Sequence, residues 1–288
     1  MKRPIILTAA PVGFAPDGTV DYEASRRILE FIANAGTDGA FVLGTTGEFP
    51  SLSEAERRAL ARLSLEVLAG KRVVVHAGAP SAFQVRRLID DVRELGGTAV
   101  AVLTPYYLAA GDEAIFEFFR DVTAHAEGID VYAYLFAERT GNPVKPELLA
   151  RIAELPNLVG AKVSGESLAT VAGYRSVVPE GFQLFTGSDR DIARATAHGL
   201  DGVVSGVSSV FPKPFVEIAR AVERGDDEAV ARLQHAVDDV VDVVLGDPAR
   251  MKAGLVLQGI AAGTSRMALD TVDEIVVAEL RRAVSAHG

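Results

Sequence analysis

Cysteine is absent from the 288-residue chain, and that single absence removes disulfides, thiolate nucleophiles, iron–sulfur clusters and thiolate zinc sites together. A reducing cytoplasm suits such a chain. No run or stripe of Lys and Arg with interleaved aromatics occurs, and the formal net charge of −10 repels polyphosphate, so nucleic acid is not an expected partner. No stretch reaches the roughly 18 uninterrupted apolar residues of a membrane helix. The opening MKRPIILTAAPVGF sets two basic residues before a short apolar run, but Pro11 and Gly13 interrupt it, so it reads as a first strand rather than a leader. What is abundant is apolar side chain, 49% of residues against 24% charged, enough for one large core in a soluble protein that handles small molecules.

Short apolar, β-branched segments recur along the chain, each followed by a polar turn and a longer stretch with helical spacing of its apolar residues. They read as strands at 5–12, 39–44, 72–77, 98–104, 129–136, 158–163, 182–186 and 202–205. VVVHAG and VAVLTP are apolar without alternation, the pattern of parallel strands covered on both faces. Ser53 followed by Glu56 has the spacing of a capping box, and Gly36, Gly70, Gly96 and Gly199 each stand just before a strand, where a left-handed helix end favours glycine. Eight such units predict a closed (β/α)8 TIM barrel over residues 1–225, with a doubly wound open sheet as the alternative. Residues 226–288 have helical periodicity and no convincing strand, so they are expected to form a C-terminal helical appendage.

Active sites of parallel barrels lie at the C-terminal ends of the strands. The polar residues there are Thr45, Thr46 and Glu48 after strand two, His76 after three, Tyr106 and Tyr107 after four, Tyr134 on five, Lys162 on six, Ser188 and Asp189 after seven, and Ser205 after eight. Lys162, in LVGAKVSGES, puts an amine within an apolar strand. Burial disfavours the charged form of an amine and enlarges the neutral fraction that attacks a carbonyl to form an imine; the bland reading is a lysine paired with a carboxylate or reaching to solvent. Tyr134 is a candidate proton carrier, but alternation puts Tyr132 on the same face, and periodicity does not choose between them. Gly44-Thr45-Thr46-Gly47-Glu48 offers backbone N–H groups and two hydroxyls suited to a carboxylate. It has neither the lysine of a phosphate loop nor a dinucleotide fingerprint, so no nucleotide cofactor is expected. A divalent-metal aldolase is the alternative chemistry, yet of five histidines only His76 falls at a strand end, and no metal is expected.

The combination of GTTGE after strand two, TPYY after four, a tyrosine followed by RTG on five and GAK on six resembles the dihydrodipicolinate synthase and N-acetylneuraminate lyase family. The motifs agree in order and placement from about Pro11 to Ser209, whereas the last quarter matches only in being helical. The resemblance implies a Schiff-base lyase in which Lys162 condenses with pyruvate or a related 2-oxo acid. It implies Tyr134 as the proton-transferring tyrosine, with Thr45 and Tyr107 completing a relay in which Tyr107 reaches the neighbouring subunit. Thr46 would hold the pyruvate carboxylate, Gly187 and Val204 would line the site through their backbones, and Arg139 would meet the acid group of a second substrate. It also implies a homotetramer of tight dimers.

Departures from the family pattern bear on the substrate. Strand five reads Tyr134-Leu135-Phe136-Ala137 where the family has Tyr-Asn-x-Pro, and Ala10-Pro11 replaces Thr-Pro after strand one. FTGSD, HGLDGVVSG and GEFPSL are similar to the branches that cleave or dehydrate 2-keto-3-deoxy sugar acids and 4-hydroxy-2-oxo acids. A 4-hydroxy-tetrahydrodipicolinate synthase, condensing pyruvate with aspartate semialdehyde, is the alternative that Arg139 keeps open. A non-catalytic barrel that binds a 2-oxo acid is the alternative of another class.

Overall fold

A computed structural model describes residues 2–288. Along the chain run β1 (Ile5–Ala9), α1 (Tyr22–Asn34), β2 (Gly39–Val42), α2 (Glu54–Val67), β3 (Arg72–His76), α3 (Ala82–Glu94), β4 (Ala99–Leu103) and α4 (Asp112–His125). They are followed by β5 (Asp130–Leu135), one helical turn α5 (Ala137–Thr140), α6 (Pro146–Ala153), β6 (Leu158–Val163), α7 (Leu168–Arg175), β7 (Gln183–Thr186) and β8 (Gly202–Ser205). Helices α8 (Pro212–Arg224), α9 (Asp227–Val244), α10 (Pro248–Leu257) and α11 (Glu274–His287) complete the chain. All eight strands are parallel, each hydrogen-bonded to its sequence neighbours, and β8 returns to β1 to close a (β/α)8 barrel. The open-sheet alternative is thereby excluded.

Close strand approach depends on side-chain-free positions. At the seam Gly202 pairs with Ile5, and a Cβ there would lie 2.0 Å from the Ile5 carbonyl oxygen, so no other residue lets the strands approach. Local signals act as their chemistry dictates. Ser53 caps α2 by accepting from the Glu56 N–H while the Glu56 carboxylate accepts from the Ser53 N–H, the reciprocal capping box. The observed strands are a few residues shorter than their apolar runs, most clearly at β1, which ends at Ala9 ahead of Pro11. The regular beat fails once: between β7 and β8 the chain makes two 3₁₀ turns, Asp189–Asp191 and Thr196–His198, instead of a full helix.

Alternation divides the core in two. Residues facing outward on the strands join the helices in a large shell, while Leu7, Phe41, Val74, Ala101, Leu103, Tyr132, Tyr134, Phe185 and Val204 fill the barrel interior in layers. Tyr132 belongs to the lower layer, where its hydroxyl donates to Gln183 Oε1 at 2.7 Å and receives Arg72. Tyr134 is two residues higher, at the mouth. Among the described residues no helix is long and apolar enough to cross a membrane.

Candidate active site

Lys162 stands one residue before the end of β6, in register with Tyr134 on β5 and Phe185 on β7. It is 7% exposed. Its Nζ lies 4.2 Å from the centre of the Tyr134 ring and 4.6 Å from that of Phe41, so aromatic faces hold the amine by cation–π attraction. Among the described residues no carboxylate forms an ion pair with it. The choice between the two strand-five tyrosines is therefore geometric: Tyr134 touches the lysine, and Tyr132 is engaged with Arg72 and Gln183 below. The Tyr134 hydroxyl shares a 3.2 Å hydrogen bond with Thr45 Oγ1. The structure thus brings Lys162, Tyr134 and Thr45 together.

Thr45 belongs to the turn that follows β2. The N–H groups of Gly47 and Glu48 donate to the Gly44 and Thr45 carbonyls, and that of Phe49 donates to Gly44, which winds the turn tightly. The N–H groups of Thr45 and Thr46 have no backbone partner among the described residues. The turn is strained, since Leu43 and Glu48 adopt left-handed φ of 60° and 55°, an arrangement found at positions that the surrounding structure over-determines. Glu48 is not a site carboxylate. It is 1% exposed and accepts from Lys252 Nζ at 2.5 Å and from the Arg266 and Met267 N–H groups at 2.8 and 2.7 Å.

Across the mouth, Gly187 donates its N–H to Val163 beside Lys162, and a Cβ on it would meet Ser164 Oγ at 2.1 Å, so any larger residue would have to turn the Ser164 side chain aside. Val204 faces inward from β8. Asp189 hydrogen-bonds Ser205 Oγ; its carboxyl is enclosed, although the residue retains some exposed surface. Burial pushes that carboxyl up to about 6, against the lowering effects of the Ser205 hydroxyl, the Val207 N–H and the Lys162 charge. Arg139, in α5, is exposed and stacks its guanidinium 5.8 Å from the Phe136 ring centre. Tyr107 is 93% exposed with φ 78°, so within one chain it does not reach Thr45 or Tyr134. Its loop is rigid, because the Asn142 side chain accepts from Ala110 N–H and donates to the Pro105 and Leu108 carbonyls.

His76 stood among the strand-end candidates of the sequence, whereas Arg57 and Lys252 did not. His76 is 1% exposed and packs its ring 4.4 Å from Phe49 and 5.9 Å from Tyr134, with neither nitrogen hydrogen-bonded. Burial, then the charges of Arg57 and Lys162, hold its pKa well below the usual imidazole range, so it is neutral. Arg57 is buried behind it, donating to the His76 and Gly78 carbonyls without a carboxylate, and desolvation lowers its pKa to about 10. Lys252, from α10, enters through Glu48. The long sequence separation of Lys252 and Glu48, 204 positions, leaves no local signal of their pairing. Among the described residues no three His, Asp or Glu side chains converge as a metal site.

A closed parallel barrel whose sixth strand presents a buried, carboxylate-free amine beside a tyrosine defines the protein as an aldolase-type lyase. The chain belongs to the dihydrodipicolinate synthetase family, whose model matches residues 3–287. That span corrects the sequence expectation for the last quarter, which belongs to the family as fully as the barrel does. The chain is 34% identical over 225 residues to the 4-hydroxy-tetrahydrodipicolinate synthase of Methylococcus capsulatus, covering 77% of this chain and 76% of the relative. The crystal structure of dihydrodipicolinate synthase from Thermotoga maritima superposes with a TM-score of 0.91 at 29% identity, covering 100% of this chain and 99% of that one. N-acetylneuraminate lyase from Mycoplasma synoviae shares the fold, with a TM-score of 0.89 at 21% identity over 99% and 97% of the two chains.

Proposed function

We propose that the protein is a Schiff-base lyase for pyruvate-yielding 2-oxo acids, of the 2-keto-3-deoxy sugar acid or 4-hydroxy-2-oxo acid kind. The observation that carries this reading is the Lys162 amine seated against Tyr134, whose hydroxyl bonds Thr45. The neutral amine attacks the C2 carbonyl of the substrate and gives one of its protons to the carbonyl oxygen; Tyr134 delivers the second, the oxygen leaves as water, and the iminium remains. That cation accepts the electron pair released when a C–C bond or the C3 proton is lost, giving an enamine instead of a free carbanion. Thr46, with the free N–H groups of its turn, receives the substrate carboxylate, while Gly187 and Val204 shape the opposite wall. Enclosure of the amine by Phe41 and Tyr134 keeps bulk water from the imine.

Tyr107 completes the proton relay from the neighbouring subunit of a homotetramer. The exposed aromatic and aliphatic surface of Tyr107 and Leu108, 93% and 73% accessible, supports such a contact. The reading also places the enzyme in a reducing cytoplasm and treats residues 1–225 as the barrel and 226–288 as its helical appendage. Pyruvate with borohydride is expected to leave a stable secondary amine on Lys162, found by peptide mass; the same mass on a Lys162→Ala protein would remove the assignment.

A second reading has its own support. The curated relatives bear the name 4-hydroxy-tetrahydrodipicolinate synthase, and Arg139 is free at the mouth to meet a second acidic substrate. The two readings separate by turnover: pyruvate release from 2-keto-3-deoxy sugar acids or 4-hydroxy-2-oxo acids favours the first, and consumption of pyruvate with aspartate semialdehyde favours the second.

A further inference from the structure

Glu48 stands in the turn that carries Thr45 and Thr46, yet its carboxylate points away from the mouth into the C-terminal region. There it meets Lys252 Nζ at 2.5 Å and two backbone N–H groups of the 264–267 segment. Lys252 in turn donates to the Thr264 carbonyl at 2.7 Å and lies 4.8 Å from the Phe14 ring centre. The same segment is fastened from its other side. Arg266 donates to the Gly18 and Ser51 carbonyls and to both oxygens of Glu56, the residue that closes the capping box of α2. The C-terminal region thus grips the turn at Glu48 and again at Ser51, and Glu48 is held at a left-handed φ that an ordinary side chain resists.

We propose that Lys252 is a positioning residue for the reaction: by pairing with buried Glu48 it fixes the Thr45–Thr46 turn, so the C-terminal helices are part of the catalytic machinery. Lys252 touches no substrate and acts only through the turn. A displaced turn lengthens the Thr45–Tyr134 hydrogen bond and misaims the carboxylate donors, while leaving Lys162 able to form its imine. Proton movement therefore suffers more than condensation does. The proposal rests on the Schiff-base reading for its kinetic readout, but its structural half stands without it.

The test uses the intact protein, with Lys252→Met and Glu48→Gln as variants; the second keeps the shape and acceptor oxygen of the side chain if the first fails to fold. Pyruvate is the probe. At a temperature below both melting points, borohydride trapping on Lys162 at saturating pyruvate is expected to match wild type, while KM for pyruvate rises as the carboxylate donors are misaimed. The rate at which the pyruvate methyl protons exchange into deuterated water is expected to fall roughly 10- to 100-fold, the scale of an ångström-sized misplacement. Backbone amide exchange is expected to accelerate in residues 43–52, with the strands unaffected. Unchanged methyl exchange with unchanged protection of the turn would overturn the proposal. So would protection lost evenly across the barrel while turnover per folded molecule persists, the behaviour of a merely structural pair. Should wild type trap no pyruvate, the Schiff-base reading fails by itself, and amide exchange in the turn still decides the role of Lys252.

Discussion

The fold buries two lysines among the described residues, Lys162 at 7% and Lys252 at 3% exposure, and surrounds them in opposite ways. Lys252 faces the Glu48 carboxylate at 2.5 Å and a backbone carbonyl at 2.7 Å. Burial depresses its pKa, while the hydrogen bond and charge of Glu48 push back. Lys162 has ring faces on two sides and no carboxylate in ion-pair contact. Burial is therefore common to both, and what separates them is the partner each amine meets. Lys252 is committed to a carboxylate and a backbone carbonyl, whereas Lys162 has ring faces around it and no acid within ion-pair distance.

That contrast is broken most directly at Lys162. Lys162→Met is expected to abolish borohydride trapping and to cost turnover on the order of 10⁴-fold or more, since no other side chain supplies the imine. Its melting temperature should match or exceed wild type, because an apolar chain of similar length replaces an amine with no acid partner. A large fall in stability would show that Lys162 has a structural role of the kind assigned here to Lys252. Lys252→Met should do the reverse on the stability axis, losing about 3–5 kcal/mol because it strands a buried carboxylate. Adding Glu48→Met should restore part of that loss, and chemical denaturation of the single and double variants measures both. A single variant as stable as wild type would refute the buried-pair account.

How far this contrast could be read from sequence depends on distance along the chain. The strands were legible because continuous apolar runs between polar turns are a local signature, and Lys162 was legible because an amine inside such a run is anomalous. Periodicity did not separate Tyr134 from Tyr132, since both share a face and differ only in depth within the barrel, a property set by the register of β5 against β6; only the family motif pointed to Tyr134. Glu48 and Lys252 are separated by 204 positions, so the strand-end placement that singled out Glu48 gave no hint of its partner. The connection between β7 and β8 escaped for another reason. Its apolar spacing fits a helix, but in the fold it closes as two short turns, with Arg190 drawn across to Asp238 and Asp242 on α9.

Tyr107, proposed to act from a neighbouring subunit, sharpens the comparison further. Tyr107→Phe removes only a hydroxyl, so trapping on Lys162 should persist while turnover falls roughly 10- to 100-fold, as loss of one proton carrier does. Light scattering on the same sample should give a multimer. Unchanged turnover, or a fully active monomer, would take Tyr107 out of the relay.

The smallest expected effect concerns the carboxyl on the Lys162 side of the barrel. Glu48 meets an ammonium and two N–H groups, but Asp189 is enclosed with the Ser205 hydroxyl and a backbone N–H, and burial raises its pKa from 3.8 to about 6. A carboxyl whose folded pKa is raised binds its proton more tightly in the folded state. Its contribution is fully present below pH 3.8 and is lost as pH climbs through about 6, leaving an ionised group in an enclosed site above that. Two units correspond to at most ~3 kcal/mol, and Asp189→Asn, which keeps an acceptor for Ser205, should recover about 1 kcal/mol of it. The variant should therefore melt above wild type at pH 8 and level with it at pH 4. An advantage that is equal at both pH values would mean that ionisation of Asp189 is not its source, and an advantage confined to pH 4 would reverse the sign of the argument.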